Sequence, residues 1–243
     1  MPISPCRLLP WDTRFFGFPI GRLDSPRLRL ADLATIEDWC GIHRIECLYL
    51  LADCSCPETL ESACEARFKF VDMRYELEMP LKASGRMDPA HPAIRTADKR
   101  DLPELEQMAR QLHTNTRFFK DSKFPRDRAA ELYAEWIRVS CEKPSGTVLI
   151  ATTPSGALGG YIACELDAAT GNGQIGLVAV AESSRGQGLG RALGNAGLRW
   201  MAGRGASVVS VVTQADNLAA LKLYTTMGFS VARVATWFHR WSR

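Results

Sequence analysis

The sequence predicts an α/β (α+β) fold, with strands and helices interleaved along its whole length. Three observations lead there. Short apolar runs of strand length, such as CLYLLA at 47–52 and TVLIATT at 147–153, alternate with amphipathic helical patterns. Three strands in succession, at 147–153, 158–166 and 174–181, are joined by turn-like segments at 154–156 and 168–173, which predicts an antiparallel meander. The third strand runs through a glycine-rich turn into a helix whose apolar face is Leu189, Ala192, Leu193, Ala196 and Trp200.

With 243 residues the chain has ample material for a core, as one large domain or two small ones. Its 46% hydrophobic and 23% charged residues are ordinary for a soluble globular protein. A net charge of +3, without a basic block or aromatic-basic interleaving, gives no reason to expect nucleic acid as a partner. No apolar run reaches membrane-spanning length, and MPISPCRLLPWD lacks the apolar stretch of a signal peptide, so a cytoplasmic protein with no membrane partner is expected. Eight cysteines form no Cys-x-x-Cys pair. Cys40 and His43 with Cys47, Cys54 and Cys56 match no standard zinc spacing, so no metal is expected, and the thiols are expected to be reduced.

Residues 1–84 read as a small N-terminal α/β domain. It opens on a dense aromatic cluster, LLPWDTRFFG at 8–17. This segment either packs on the core or forms one wall of a ligand pocket. A strand at 20–23, a helix at 30–42, a buried strand at 47–52, a helix at 57–66 with Pro57 in its first turn, and a partly alternating strand at 68–81 follow. KASGRMDPAHP at 82–92 has Gly, Ser and two Pro, and places a linker at 85–92. The second domain, 93–243, begins with a strand at 94–97 and a helix at 101–112, N-capped by Asp101. The long connection HTNTRFFKDSKFPRDR at 113–128 mixes aromatics with charge, as functional loops often do. A helix at 129–141, the meander, the glycine-turn helix, a strand at 207–213, a helix at 217–227 and a strand at 230–238 complete the chain.

The chemistry centres on Arg185-Gly186-Gln187-Gly188-Leu189-Gly190. The first N–H groups of a helix have no intrahelical partner and carry the positive end of its dipole. Glycines let a phosphate approach the backbone, and Arg185 and Arg191 add charged donors. A diphosphate ligand fits such a turn; from the glycines alone, a tight turn without a ligand fits too. A P-loop would need Lys-Ser/Thr after the last glycine, and a dinucleotide-binding turn would need Gly-x-Gly-x-x-Gly; this turn has neither. The pattern that fits is Arg/Gln-x-x-Gly-x-Gly/Ala. A second element is NLAALKLYTTMGF at 217–229, with Asn217 as N-cap, Tyr224 two turns further along the same face, and Gly228 in the left-handed C-terminal position. Alone, Tyr224 reads as a core aromatic; beside the glycine turn it reads as a functional phenol.

With LVAV before the turn and N-x-x-A-x-x-x-Y-x-x-M-G-F after it, residues 94–238 resemble the GNAT N-acetyltransferase superfamily. Glu182 stands where many members have proline. The resemblance implies a central mixed, mostly antiparallel sheet flanked by helices, with acetyl-CoA as acyl donor. It implies that Leu177, Val178, Ala179 and Val180 pair with pantetheine as an added strand. The pyrophosphate would lie on the backbone of Arg185, Gly186, Gln187, Gly188, Leu189, Gly190 and Arg191. Asn217 and Tyr224 would complete the donor site, with Tyr224 as general acid toward the departing thiolate.

WDTRFFG near the start and TRFFKDSKFPRDRAAELYAEW at 116–136 narrow the resemblance. Nearly the whole chain is similar to GNAT enzymes that acetylate the 4-amino group of dTDP-4-amino-4,6-dideoxy sugars. That implies a nucleotide-linked amino sugar as acceptor, held by Trp11, Phe15, Phe16, Arg117, Phe118 and Arg126. The residues themselves say that aromatics can stack on a base or sugar and that arginine suits a diphosphate. The expected chemistry is direct attack by a neutral amine, with Glu165, His113 or a water chain removing its proton. Nothing marks Cys164 as a nucleophile. Two alternatives stand: a GNAT enzyme acting on a protein, peptide or other small amine, and a non-catalytic acyl-CoA-binding protein. A homodimer, through the last strand or the N-terminal domain, stays open.

Overall fold

The computed structural model describes residues 5–81, 91, 93–167 and 169–242. The first segment contains β1 (Cys6–Leu8), α1 (Pro10–Phe16), β2 (Ile20–Leu23), α2 (Leu33–Ile42), β3 (Cys47–Asp53), α3 (Pro57–Glu65) and β4 (Lys69–Pro80). The second contains β5 (Ile94–Thr96), α4 (Leu102–Leu112), α5 (Arg117–Lys120), α6 (Arg126–Glu142), β6 (Gly146–Thr152), β7 (Leu158–Leu166) and β8 (Gly173–Val180). It continues with α7 (Leu189–Ala202), β9 (Val208–Gln214), α8 (Leu218–Thr226) and β10 (Ser230–Trp241). The aromatic N-terminal cluster is a helix, α1, with Pro10 at its start and Gly17 at φ 84° closing it, a start-and-stop pair that the aromatic composition obscured. Asp101 precedes α4 but does not cap it with its side chain: its carboxylate binds Arg95 at 2.7 Å and the Asp98 amide at 2.7 Å.

The strands form one ten-stranded sheet in the order β1-β2-β3-β10-β4-β9-β8-β7-β6-β5. Among the described residues only β2/β3 and β8/β9 pair in parallel, so the sheet is mixed and mostly antiparallel. The last strand, β10, lies between β3 and β4: Trp237 pairs with Leu51 on one side and with Asp72 on the other. The two segments expected as separate domains therefore share one sheet. The boundary after residue 84 lies outside the described residues. The segment at 82–92 reads as a linker from its composition, but a strand returning from the far end of the chain leaves no mark in a local window.

Alternation along β3 distributes the core. Cys47, Tyr49 and Leu51 face one side with residues of α4, α5 and α6, while Leu48, Leu50 and Ala52 face the other with residues of α2 and α3. On that second side α7 and α8 cover β7, β8 and β9 through Leu193, Met201, Ile162, Ile175 and Val209. Among the described residues no helix is long and apolar enough to cross a membrane.

Candidate active site

The site begins where the sheet opens. β8 and β9 pair only from Gly173 with Val209 to Ile175 with Val211. Beyond that, β8 stays paired with β7 alone, as Val178 with Ile162 and Val180 with Gly160. A bulge sets Gly176 and Leu177 opposite the single residue Ala163, which adds twist at the point of departure. The β9-facing edge of 176–180 has no strand partner. A cavity of about 310 Å³ opens beside it. Leu177 and Val178 of β8, Thr213 and Gln214 of β9, and Asn217, Leu223 and Tyr224 of α8 line one end.

The turn expected to hold a diphosphate follows β8. Gly186 and Gly188 sit at φ 75° and 79°, left-handed values that disfavour any residue with a Cβ. α7 starts at Leu189, and Gly188 offers its first amides no side-chain cap. Those amides are the uncompensated donors that an anion requires. Arg185 reaches the Val180 carbonyl at 3.4 Å, Gln187 donates to the Ser183 carbonyl at 3.0 Å, and the residues at 185–188 are exposed. A Cβ at Gly197 would lie 2.7 Å from the Cys164 sulfur, so α7 docks on β7 as closely as only glycine permits. The uncapped helix start, the left-handed glycines and the open edge of β8 fit the diphosphate and amide-bearing arm of CoA.

Asn217 caps α8, its Oδ1 accepting from the Ala220 amide at 3.2 Å. This sets Tyr224 two turns along, 5% exposed, with its ring edge-on to Phe229 at 5.7 Å. Burial, and secondarily Cys164, push the Tyr224 phenol well above its ordinary pKa, so it keeps its proton at neutral pH. Burial also pushes the Cys164 thiol up to about 12, which leaves it un-ionised and poorly nucleophilic.

The two candidate bases separate. Glu165 lies away from this cavity, ion-paired to Lys143 at 2.6 Å and accepting from Ser145 at 3.2 Å. His113 lines the cavity, stacks on Tyr133 at 5.0 Å and stands 2.7 Å from the Tyr161 hydroxyl. Burial lowers its pKa to about 4, so it is neutral at pH 7.

The acceptor residues also divide. Arg117 and Phe118 line the cavity. Phe16 does not: it is 7% exposed, packed among Phe118 at 5.3 Å, Phe124 at 4.7 Å and Phe18 at 6.0 Å. Trp11 and Phe15 stack on each other at 5.0 Å outside the lining. Arg126 is exposed and also outside it; the inward arginine of α6 is Arg128, which covers the Phe15 ring at 4.3 Å and donates to the Phe15 carbonyl. A helix start placed at 129 left the faces of these arginines unassigned; α6 in fact begins at Arg126, which sets Arg126 toward solvent.

Sequence reasoning missed Asp72, Arg74, Tyr133, Trp136 and Trp237, all of which line the cavity. Asp72 is 3% exposed and holds Lys120 at 2.6 Å; burial raises its pKa against that partner. The one available signal was in β4, where Asp72, Arg74, Glu76 and Glu78 alternate with Met73, Tyr75, Leu77 and Met79.

The acetyltransferase (GNAT) family model matches residues 105–229, just over half of the chain, and the chain belongs to that family. It is an acetyltransferase of the GNAT type, a family that uses acetyl-CoA as donor. It is 28% identical over 239 residues to dTDP-fucosamine acetyltransferase of Escherichia coli O6:H1, an alignment covering 96% of each chain. It is 36% identical to mycothiol acetyltransferase of Tsukamurella paurometabola over 44% of this chain and 37% of that one. The GCN5-related N-acetyltransferase of Sphaerobacter thermophilus has the same fold, with a TM-score of 0.67 at 18% identity over 97% of this chain and 76% of that one.

Proposed function

We propose that this chain transfers the acetyl group of acetyl-CoA to the amine of a nucleotide-linked amino sugar, and specifically to the 4-amino group of a dTDP-4-amino-4,6-dideoxy sugar. One observation carries the acceptor: part of the cavity lining comes from outside the residues of the family match. Asp72 and Arg74 are supplied by β4 and Trp237 by β10, and the likeness to dTDP-fucosamine acetyltransferase covers 96% of the chain. A donor site common to the family thus meets a wall belonging to the narrower resemblance.

In this reading the open edge of β8 at 177–180 holds the pantetheine arm, and the amides at 185–191 hold the pyrophosphate. Backbone N–H groups near Val178 stabilise charge developing on the acetyl oxygen. The amine attacks as the neutral base. Its proton leaves through water to the polar groups of the cavity, of which His113 and Asp72 are in reach of that space. Tyr224 gives its proton to the departing sulfur. The un-ionised state of Cys164 supports direct attack over an acyl-enzyme.

The test is a panel of amines with acetyl-CoA, read by thiol release: dTDP- and UDP-linked amino sugars, unlinked amino sugars, lysine peptides, protein N-termini and antibiotic amines. Turnover confined to the nucleotide-linked sugars is expected. Faster turnover of a peptide or antibiotic overturns the acceptor, and tight CoA binding with no thiol release for any amine points to a non-catalytic binder.

A further inference from the structure

We propose that Arg117 is a preorganised receptor for the diphosphate of the acceptor, and that Asp121 and His239 are the positioning residues that hold it ready. The proposal takes only the identity of the anion from the nucleotide-sugar reading. Arg117 lines the cavity and lies against three rings at once: Tyr49 at 4.2 Å, Phe118 at 4.2 Å and Trp237 at 4.1 Å. Such stacking holds a guanidinium by its faces and leaves the N–H groups on its edge for hydrogen bonds. One edge donor, Nη1, lies 3.1 Å from His239 Nε2. The other nitrogen of His239, Nδ1, is 2.7 Å from Asp121 Oδ2, which also accepts from Trp241 Nε1 at 2.9 Å.

These contacts fix the tautomer. A carboxylate only accepts, so His239 Nδ1 carries the hydrogen and Nε2 is the acceptor that receives Arg117. Burial keeps His239 neutral, with a pKa lowered to about 4 although Asp121 pulls the other way. Arg117 is therefore oriented by a neutral partner rather than by a carboxylate. Among the described residues no carboxylate forms an ion pair with it; Asp12 is near enough to feel its charge but makes no salt bridge.

The surroundings sharpen this. Arg22 lies over the same Trp237 ring at 5.2 Å, and Arg74 lines the cavity with its Nε buried and unbonded. Burial depresses Arg22 and Arg74 from the ordinary arginine range; Glu76 opposes this at Arg74, and neighbouring arginines, Arg117 among them, add to it at both. Glu76 answers one of the three, at 2.8 Å from Arg74. Holding the two partly buried guanidinium groups of Arg74 and Arg117 in one cavity is unfavourable unless an anion joins them. A diphosphate supplies the charge, and its paired oxygens match the fork of an arginine.

The experiment is calorimetric titration of dTDP, and separately of inorganic pyrophosphate, into the intact chain saturated with CoA, so that the diphosphate site at α7 is already filled. Wild type is expected to bind both, and Arg117→Gln to bind dTDP at least about tenfold more weakly. His239→Phe fills the aromatic space but offers no acceptor, and should weaken dTDP to a similar degree. His239→Gln places an amide oxygen near the position of Nε2 and should recover most of the loss. CoA affinity should stay within about twofold throughout, a separation that general unfolding would not produce. Absence of dTDP binding to wild type, or equal dTDP binding by wild type and Arg117→Gln, overturns the proposal; should His239→Phe fail to fold, the Arg117 comparison decides alone. Binding of dTDP as expected without acetylation of any dTDP-linked amine would leave the receptor standing and sink the acceptor reading instead.

Discussion

The donor site and the acceptor site proposed for this chain are built in opposite ways. The proposed donor site is one continuous stretch, β8 through the glycine turn into α7, of which Gly176, Leu177 and Val178 line the cavity, and its proposed working groups are backbone amides and an unpaired strand edge. The proposed acceptor site gathers side chains from β4, α5, α6 and β10, held by an aromatic cage and an Asp121–His239–Arg117 chain of hydrogen bonds. Backbone recognition suits a ligand shared across a family, because it survives most substitutions. Side-chain recognition suits the ligand that distinguishes one member from another.

Tyr224 stands where the halves meet, and its removal should have the largest effect. Tyr224→Phe is expected to lower kcat on the order of a hundredfold while the acetyl-CoA KM stays within about twofold, since in the proposed mechanism the lost proton serves only the departing thiolate. Steady-state kinetics with both substrates varied reads this directly, and unchanged kcat would remove Tyr224 from the chemistry. A smaller effect confined to the donor half should follow from Gly188→Ala. A Cβ at φ 79° costs about 1–2 kcal/mol, so the acetyl-CoA KM should rise roughly tenfold with little change for the acceptor. An equal rise in both constants would show the halves to be coupled.

The smallest effect belongs to the acceptor half alone. His113 and His239 are both lowered by burial to about 4, from an ordinary value of 6.5. Below that ordinary value unfolded histidine binds a proton that the folded side chains refuse. Stability is thus complete above about pH 6.5 and falls as the pH drops toward about 4. The melting temperature should decline between about pH 6.5 and about pH 4, and His239→Gln should narrow the decline. An equal decline in that variant would contradict the buried neutral state of His239.

The same contrast explains what was legible in the sequence. The β8–turn–α7 stretch and the Asn217–Tyr224–Gly228 helix announce themselves, because their spacing is local and their conformations demand particular residues. Gly186 and Gly188 must be left-handed, and Asn217 must cap. The single sheet was not legible, because β10 enters it from the far end of the chain. In the acceptor wall, Arg117 and Phe118 could be named from a loop of mixed aromatic and charged composition. Phe16 and Arg126 could not be sorted from them, since only the phase of α1 and α6 decides which side chain turns inward. His239 and Trp237 gave no local signal: each sits in an ordinary strand and acquires its role from what lies across the sheet.

The most direct test of the account is the rate of acetyl transfer from acetyl-CoA to a dTDP-4-amino-4,6-dideoxy sugar, measured beside the same amino sugar without its nucleotide. The account predicts stoichiometric thiol release with acetylation at the 4-amino group, and a kcat/KM for the linked sugar at least about a hundredfold above that for the free one. Equal turnover of the two, or none of either while a peptide amine is acetylated, would contradict it.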